Sequence, residues 1–565
     1  MKSVFPFSVA VSLLLFSFLL TNCDNREIAS LVLTNGKVIT VDGNFSIHEA
    51  VAVKGSRIIS VGSNQDINRY INQSTKVIDL QGKTVLPGLI DTQGHMLQLG
   101  NALTYLDIHS TTSYEEIVKI VKERVKITPP GAWIIGGRWD QNKWEIKDFP
   151  NHSELSKISP ENPVFLLRVD GYAALVNEKA MNLSGISPDT KTPFGGSIIH
   201  DKYNNPTGVL INRAMTIVKN IIPGETDQAF KEKVRKGIRN CLKNGLTSWH
   251  EIGISPYHVS LIKQLIDDNQ LDMRTVTFLG EQEDPVLEVD LENYFAQFKI
   301  DNYGDNFLSV KGIQLHFDGA LGSRGAALFS PYNDDRDNIG LIRIPPDYIY
   351  RMASAALKLK MVLNTSCIGT RGNQLCLDEY EKALKKNPVK DHRLRITHAQ
   401  VLLEKDIPRF KKLGVIPAMQ PIHATSDMGF AEARIGSDRI KGAYAWRSIL
   451  NTGSKIACGS DFPVETNDPF ASMYAAITRK DVSGNPPNGW YSEQCMTLEE
   501  VIKGYTIWAA YSVFQDNILG SIEVGKLADF TIINKYLLAI PPEELLDTKV
   551  MYTIVGGVIK YSSEQ

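Results

Sequence analysis

The sequence lacks the features of a disulfide-stapled protein and of a nucleic-acid-binding protein. Only 6 of its 565 residues are cysteine, and no two of them form a C-x-x-C pair. This excludes a disulfide framework and a cysteine zinc cluster as organising elements, and leaves the cysteines as small buried hydrophobic residues. The formal net charge of -2 provides no basic surplus that would attract nucleic acid. We therefore expect no nucleic-acid partner.

A long hydrophobic run occurs only near the N-terminus, from Val9 to Leu20. It is shorter than the roughly 20 residues that a membrane-spanning helix needs, and residues 1–23 are typical of a secretory signal. The run ends in the letters LTNC, which resemble a bacterial lipobox with Cys23 as the lipidated residue. Residues 24–29 would then tether an extracytoplasmic, membrane-anchored lipoprotein at the periplasm or cell surface. Cleavage at this place with Cys23 as a bystander is the alternative.

Both ends of the chain have the pattern of antiparallel sheets. Residues 30–86 contain short apolar runs separated by turns such as Asn35-Gly36, and the C-terminal segment contains a strand pair around Gly556-Gly557. We predict one composite β-sandwich from residues 24–86 and 510–565. Two unrelated small sheets are the less economical alternative.

The middle of the chain alternates strand-like apolar runs with amphipathic helices. Helices are predicted over residues 113–125, 228–244 and 351–359, and strands over 310–317, 361–366, 393–396 and 455–457. This alternation predicts an α/β fold with a TIM-type (β/α)8 barrel over residues 87–509, in which chemistry lies at the C-terminal strand ends. Gly- and Pro-rich turns interrupt the pattern at about residues 133–222. We predict an insertion near the barrel mouth there, shaped by a cluster around Trp139 and Trp144.

Several motifs carry a family resemblance. They are PGLIDTQGH at 87–95, GRWDQNKW at 137–144, DGALGSR at 318–324, MQPIH at 419–423, GSDFPVE at 459–465 and GSIEVGKLAD at 520–529. Together, and in this order, they resemble the amidohydrolase superfamily, and within it the amidohydrolase 3 branch that includes N-substituted formamide deformylases. The resemblance implies a hydrolase of C–N bonds other than peptide bonds, such as those of small amides or formamides.

The resemblance also implies a metal centre. In that family one or two divalent metals such as zinc are held by six residues. These are two His on the first strand, a Lys, two further His and a final Asp. A bound metal lowers the pKa of water to about 7, and the Asp passes the proton to the leaving nitrogen. Carried over to this chain, His95, His398 and Asp461 remain as metal ligands, and Asp461 and His398 are the implied catalytic residues.

The other three ligand positions hold different residues, namely Gln93, Gln314 and Ser366. A neutral Gln oxygen is a weak zinc ligand beside imidazoles. We expect a metal affinity lower by several orders of magnitude, because even the loss of an outer hydrogen-bond partner costs about 10- to 100-fold. This favours a metal-poor or catalytically silent protein, a pseudoenzyme that binds a small molecule.

An alternative rests on His316, two residues beyond Gln314 on the same predicted strand and so pointing into the barrel as well. Together with His95, His398 and Asp461 it could form a rebuilt mononuclear zinc site in an active hydrolase. The other interpretation is a hydrogen-bonded filler. Metal-free hydrolysis by Asp461 and His398 ranks last, because that pair lacks a Lewis acid.

Two further residues are predicted to lie near the substrate. Tyr172 replaces the His of the family's GHA segment, and His423 follows a Gln-Pro turn. For His423 a purely structural role in the turn stays open. Arg324 is expected to pair with an acid rather than to bind an anionic group.

Overall fold

The computed structural model describes residues 27–141, 144–168, 173–193, 196–280 and 290–564. The predicted signal segment with Cys23, and also Tyr172, lie outside these ranges. Within them, no helix combines the length and the apolar character that crossing a membrane requires.

The described part of the chain begins with strands that form part of a two-sheet domain. These elements are β1 (Leu31–Thr34), β2 (Lys37–Ile39), β3 (Ile47–His48), β4 (Ala50–Lys54), β5 (Arg57–Gly62), α1 (Asn64–Asn68), β6 (Lys76–Asp79) and β7 (Thr84–Pro87).

The central part alternates strands and helices. Its first half consists of β8 (Leu89–Gly94), α2 (Met96–Thr104), β9 (Leu106–Asp107), α3 (Tyr114–Val125), β10 (Ile134–Trp139), α4 (Ser153–Ile158), β11 (Val164–Arg168), β12 (Ala173–Val176), α5 (Glu178–Ser184), β13 (Gly196–His200), β14 (Pro206–Asn212), α6 (Met215–Lys219), α7 (Asp227–Lys243), β15 (Leu246–Ile254), α8 (Pro256–Asp267) and β16 (Arg274–Leu279).

Its second half continues with α9 (Leu291–Ala296), β17 (Ile300–Asn302), α10 (Tyr303–Asn306), β18 (Leu308–His316), α11 (Pro346–Leu359), β19 (Val362–Cys367), α12 (Thr370–Lys386), β20 (Arg395–His398), α13 (Ile407–Leu413), β21 (Ile416–Met419), α14 (Pro421–Asp427), α15 (Ala431–Arg439), α16 (Trp446–Asn451), β22 (Ala457–Cys458), α17 (Pro469–Thr478), α18 (Leu498–Gly504) and α19 (Ile507–Tyr511). The C-terminal strands are β23 (Phe530–Ile533), β24 (Val550–Val555) and β25 (Val558–Ser562).

The helices follow from local sequence signals, as α7 shows. The side chain of Thr226 accepts a hydrogen bond from the backbone of Ala229 and so caps the helix start. Phe230, Val234 and Ile238 recur every four residues and are buried in the main hydrophobic core. This apolar stripe fixes which face of α7 packs inward.

Eight parallel strands form the barrel, in the order β22-β21-β20-β19-β18-β16-β15-β8. Backbone bonds bring its two ends together: Asp461 N donates to Gln93 O at 2.8 Å, and His95 N donates to Phe462 O at 2.9 Å. The predicted barrel is confirmed. Its closing seam runs between the segments that carry His95 and Asp461.

Two further sheets are formed by the terminal segments, and the larger of them contains strands from both termini, which confirms the composite β-sandwich. One has the order β5-β4-β1-β6, and the other β25-β24-β23-β7-β2-β3. A separate six-stranded sheet has the order β13-β14-β12-β11-β10-β9. Its strands β10 to β14 lie in the region of the predicted insertion, and β9 precedes that region in the sequence. Trp139 and Trp144 pack there with ring centroids 6.1 Å apart. The limits 24–86, 510–565 and 133–222 stay predictions.

A buried ion pair joins the barrel to the sandwich. Arg274, the first residue of β16, donates from Nε and Nη2 to both carboxylate oxygens of Asp529, at 2.7 and 3.1 Å. Both side chains are 2% exposed, and Gly556 N donates to Asp529 as well.

We predict that Asp529→Ala lowers the free energy of unfolding by about 3–5 kcal/mol, because it leaves the Arg274 charge buried without its partner. Urea unfolding measures this. The exposed pair of Lys54 with Glu27 supplies the control, since Glu27→Ala should leave stability unchanged. Equal stability of both variants would contradict the role given to Asp529.

Candidate active site

The candidate site lies at the C-terminal ends of the barrel strands. His316 and His398 end β18 and β20, and His95 directly follows β8. His398 and Asp461 have positive φ values of 69° and 62°. Non-glycine residues in this conformation carry strain of about 1–3 kcal/mol and cluster at functional sites.

Asp461 is held between two imidazoles. His95 Nε2 lies 3.0 Å from its Oδ1, and His423 Nε2 lies 3.6 Å from its Oδ2. Burial by itself would raise the pKa of Asp461, but the bonds from His423 and His95 outweigh it and hold the pKa well below its usual range. Asp461 is therefore a carboxylate with both oxygens directed at nitrogen donors.

Each of these imidazoles, and that of His398, has a second partner that orients its ring. His423 Nδ1 lies 3.1 Å from Glu465 Oε1, and His398 Nδ1 lies 2.9 Å from Gln420 Oε1. The His95 ring bonds the backbone of Ile252. In metalloproteins such outer partners fix the ring orientation and tautomer of a ligating His.

The two neighbouring rings of His398 and His423 carry different charges. They stack with centroids 5.8 Å apart. Burial lowers the pKa of His398 to about 4, against the attraction of Asp461. For His423 burial also acts to lower the pKa, but the contacts with the carboxylates of Asp461 and Glu465 outweigh this effect and raise the pKa to about 10. At neutral pH the metal-free site thus pairs one imidazolium with one neutral imidazole.

Three of these side chains could hold a single metal ion. Ligand atoms of His398, His423 and Asp461 all lie within 4.8 Å of one another, the one such group found in the described ranges. Zinc binds nitrogen and oxygen ligands at about 2.0–2.2 Å in a tetrahedral arrangement. The three side chains would therefore need to move only slightly closer together to bind one zinc ion. Two imidazoles and a carboxylate are a donor set that suits zinc.

The group of possible metal ligands found in the described residues differs from the set predicted from the sequence, whose assignments stay predictions. His423, predicted as a substrate contact, belongs to the possible metal group, whereas His95 and His316 do not. His316 is still near enough to His398 to lower its pKa. The strand register places His316 beside Ser366. Arg324 forms the expected pair with an acid, Asp334, at 3.0 Å.

Two of the three positions where the family resemblance led us to expect other ligands, Gln93 and Gln314, are engaged in amide hydrogen bonds. Gln93 Oε1 accepts from Gln420 Nε2 at 3.0 Å. Gln314 Oε1 accepts from Asn364 Nδ2, and its Nε2 donates to the carbonyl of Leu315 at 2.9 Å. Gln314 therefore contributes no charged group that could bridge two metals, and the residues present do not fit a two-metal centre.

Sequence reasoning missed Gln420 and Glu465 as orienting residues. Both lie inside motifs that were recognised, MQPIH and GSDFPVE. The sequence offered one indication of their role, which is that they lie in the same motifs as His423 and Asp461. Their partners become apparent only when strands distant in sequence meet.

Comparison with known proteins identifies the family of this chain. A family model described as "Amidohydrolase family" matches residues 76–561. The chain belongs to the amidohydrolase family. Among its relatives are the Protein LONG AFTER FAR-RED 3 of Arabidopsis thaliana and the N-substituted formamide deformylase of Arthrobacter pascens. The first is 30% identical and the match covers 90% of this chain and 87% of the relative. The second is 25% identical and the match covers 95% and 99%.

A solved structure supports the fold of this amidohydrolase. It is an uncharacterized metal-dependent hydrolase from Pyrococcus furiosus, with a TM-score of 0.73 and 24% identity. The match covers 91% of this chain and 99% of the other. The predicted family and fold are confirmed.

We predict that His423 makes stability depend on pH in the metal-free protein. Its folded-state pKa of about 10 lies above the roughly 6.5 of an unfolded His. Protonation therefore stabilises the fold, fully below about pH 6.5, and this stabilisation is lost as pH rises through about 10. Urea unfolding with a chelator should show the advantage of wild type over His423→Gln shrinking from pH 6 to pH 10. A constant difference would contradict the proposed charge on His423.

Proposed function

We propose that this amidohydrolase hydrolyses C–N bonds other than peptide bonds, in small amides or formamides, with one divalent metal ion as cofactor. The observation that carries the proposal is the convergence of His398, His423 and Asp461 within 4.8 Å. The orienting contacts of His398 with Gln420 and of His423 with Glu465 support it. The name of the deformylase relative supports the bond type.

The protein's own groups would divide the chemistry as follows. A bound metal supplies a Lewis acid and an activated water near neutral pH. Asp461, which is ionised and held by His95, would accept the proton of the attacking water and deliver it to the leaving nitrogen. Glu465 holds His423 in place through Nδ1, and the neutral His398 offers a lone pair at Nε2.

A second candidate is a catalytically silent protein that binds a small molecule. This candidate is favoured by the hydrogen bonds that link the uncharged side chains of Gln93, Gln420 and His398. Through them Gln93, at a position where the family resemblance implies a metal ligand, has its hydrogen-bonding needs met without a metal ion. A site of this kind keeps its shape without a metal ion.

Metal analysis and a panel of amide and formamide substrates separate the two candidates. After zinc loading, we predict one zinc per chain and turnover that a chelator removes. His423→Ala should weaken zinc binding by more than about 100-fold, since it removes a ligand, where the loss of an outer partner already costs 10- to 100-fold. His316→Ala should keep the zinc, and His48→Ala, on the sandwich, is the matched control.

Loss of zinc in His316→Ala with retention in His423→Ala would instead favour the site predicted from the sequence. Neither zinc nor turnover in the wild type would favour the silent candidate. In that case, the combined change of Gln93→His, Gln314→Lys and Ser366→His should restore metal binding.

A further inference from the structure

Gln93 lies at the end of β8, where the family resemblance places a metal-binding His. Its side chain is 4% exposed, and its Oε1 accepts a hydrogen bond from Gln420 Nε2 at 3.0 Å. Gln420, directly after β21, is 3% exposed. The contact joins the first barrel strand to the residue that precedes α14, the helix that carries His423.

The amide of Gln420 has one orientation that satisfies all its neighbours. The carbonyl oxygen of Ala418 can only accept a hydrogen bond, and it lies 3.3 Å from Gln420 Nε2. The same Nε2 donates to Gln93. The other end of the amide, Oε1, therefore faces His398 Nδ1 at 2.9 Å.

This orientation determines where His398 carries its proton. Because Gln420 Oε1 can only accept, His398 Nδ1 is the donor, and a neutral ring then leaves its Nε2 unprotonated. A metal ion held by His398, His423 and Asp461 would need this unprotonated nitrogen, because a protonated ring nitrogen has no free lone pair. An amide turned by half a revolution would present a donor to Nδ1 and force the proton onto Nε2.

We propose that Gln93 is a positioning residue that, together with the carbonyl of Ala418, holds the Gln420 amide in this orientation and, through it, sets the tautomer of His398. As a statement about catalysis this rests on the proposed function, whereas the tautomer itself does not. A position that resembles a lost metal ligand has become an orienting position. Gln93 thus has an orienting role at a position where the family resemblance implies a metal-binding His.

Nitrogen NMR of protein with 15N-labelled histidine tests this on the metal-free chain, with the His398 signal assigned through His398→Gln. We expect wild-type His398 to be protonated at Nδ1. Gln93→Leu removes the acceptor while keeping similar bulk, and should shift His398 toward a mixture of the two tautomers. Gln93→Glu keeps an acceptor oxygen for Gln420 Nε2 and should retain the wild-type tautomer. If Gln93→Leu does not fold, Gln93→Met takes its place, because it also removes the acceptor and keeps a similar length.

Gln314→Leu is the matched control, because it removes an equally buried amide that does not contact Gln420 or His398. Its His398 signal should match wild type. An unchanged tautomer in Gln93→Leu, or an Nε2-protonated His398 in wild type or in Gln93→Glu, would overturn the proposal.

Zinc titration adds a second measurement that separates this inference from the proposed function. Gln93→Leu should bind zinc about 10- to 100-fold more weakly than wild type, as expected for the loss of an outer partner. If wild type binds no zinc, the proposed function fails, and the tautomer measurement still decides the role of Gln93.

Discussion

The carboxylate of Asp461, held between His95 and His423, is the interaction on which the site depends. Its two oxygens meet nitrogens from opposite sides, at 3.0 and 3.6 Å. One partner follows the first barrel strand and the other follows the strand before the last, so the contact requires a closed barrel. The backbone bonds of Asp461 to Gln93 and of His95 to Phe462 provide that closure.

Charge and orientation in the site follow from this contact. A buried carboxylate needs compensation, and the imidazolium of His423 provides it when no metal is bound. Glu465 shares that charge from the other side of the ring. A divalent cation would replace the proton of His423 as the positive partner, because a ligating His must be deprotonated. A metal ion and the proton of His423 therefore compete for binding to the same imidazole.

The fold was largely predictable from the sequence, because periodicity and turn residues act locally. The helix predicted at 228–244 is α7 (Asp227–Lys243), and the strand predicted at 310–317 is β18 (Leu308–His316). The inward direction of Gln314 followed from strand alternation. The composition of the site was less predictable, since it depends on which loop ends meet. His423 lies close to Asp461 because of the path of the chain after β21, and the orienting amide of Gln420 depends on Ala418 and Gln93. These contacts cannot be predicted from the spacing of the residues in the sequence.

The most direct test of the account is anomalous X-ray diffraction at the zinc edge from zinc-loaded crystals. The account predicts one strong peak within about 2.0–2.2 Å of a nitrogen of His398, a nitrogen of His423 and an oxygen of Asp461. No peak there, or a peak bound by His316 without His423, would contradict it.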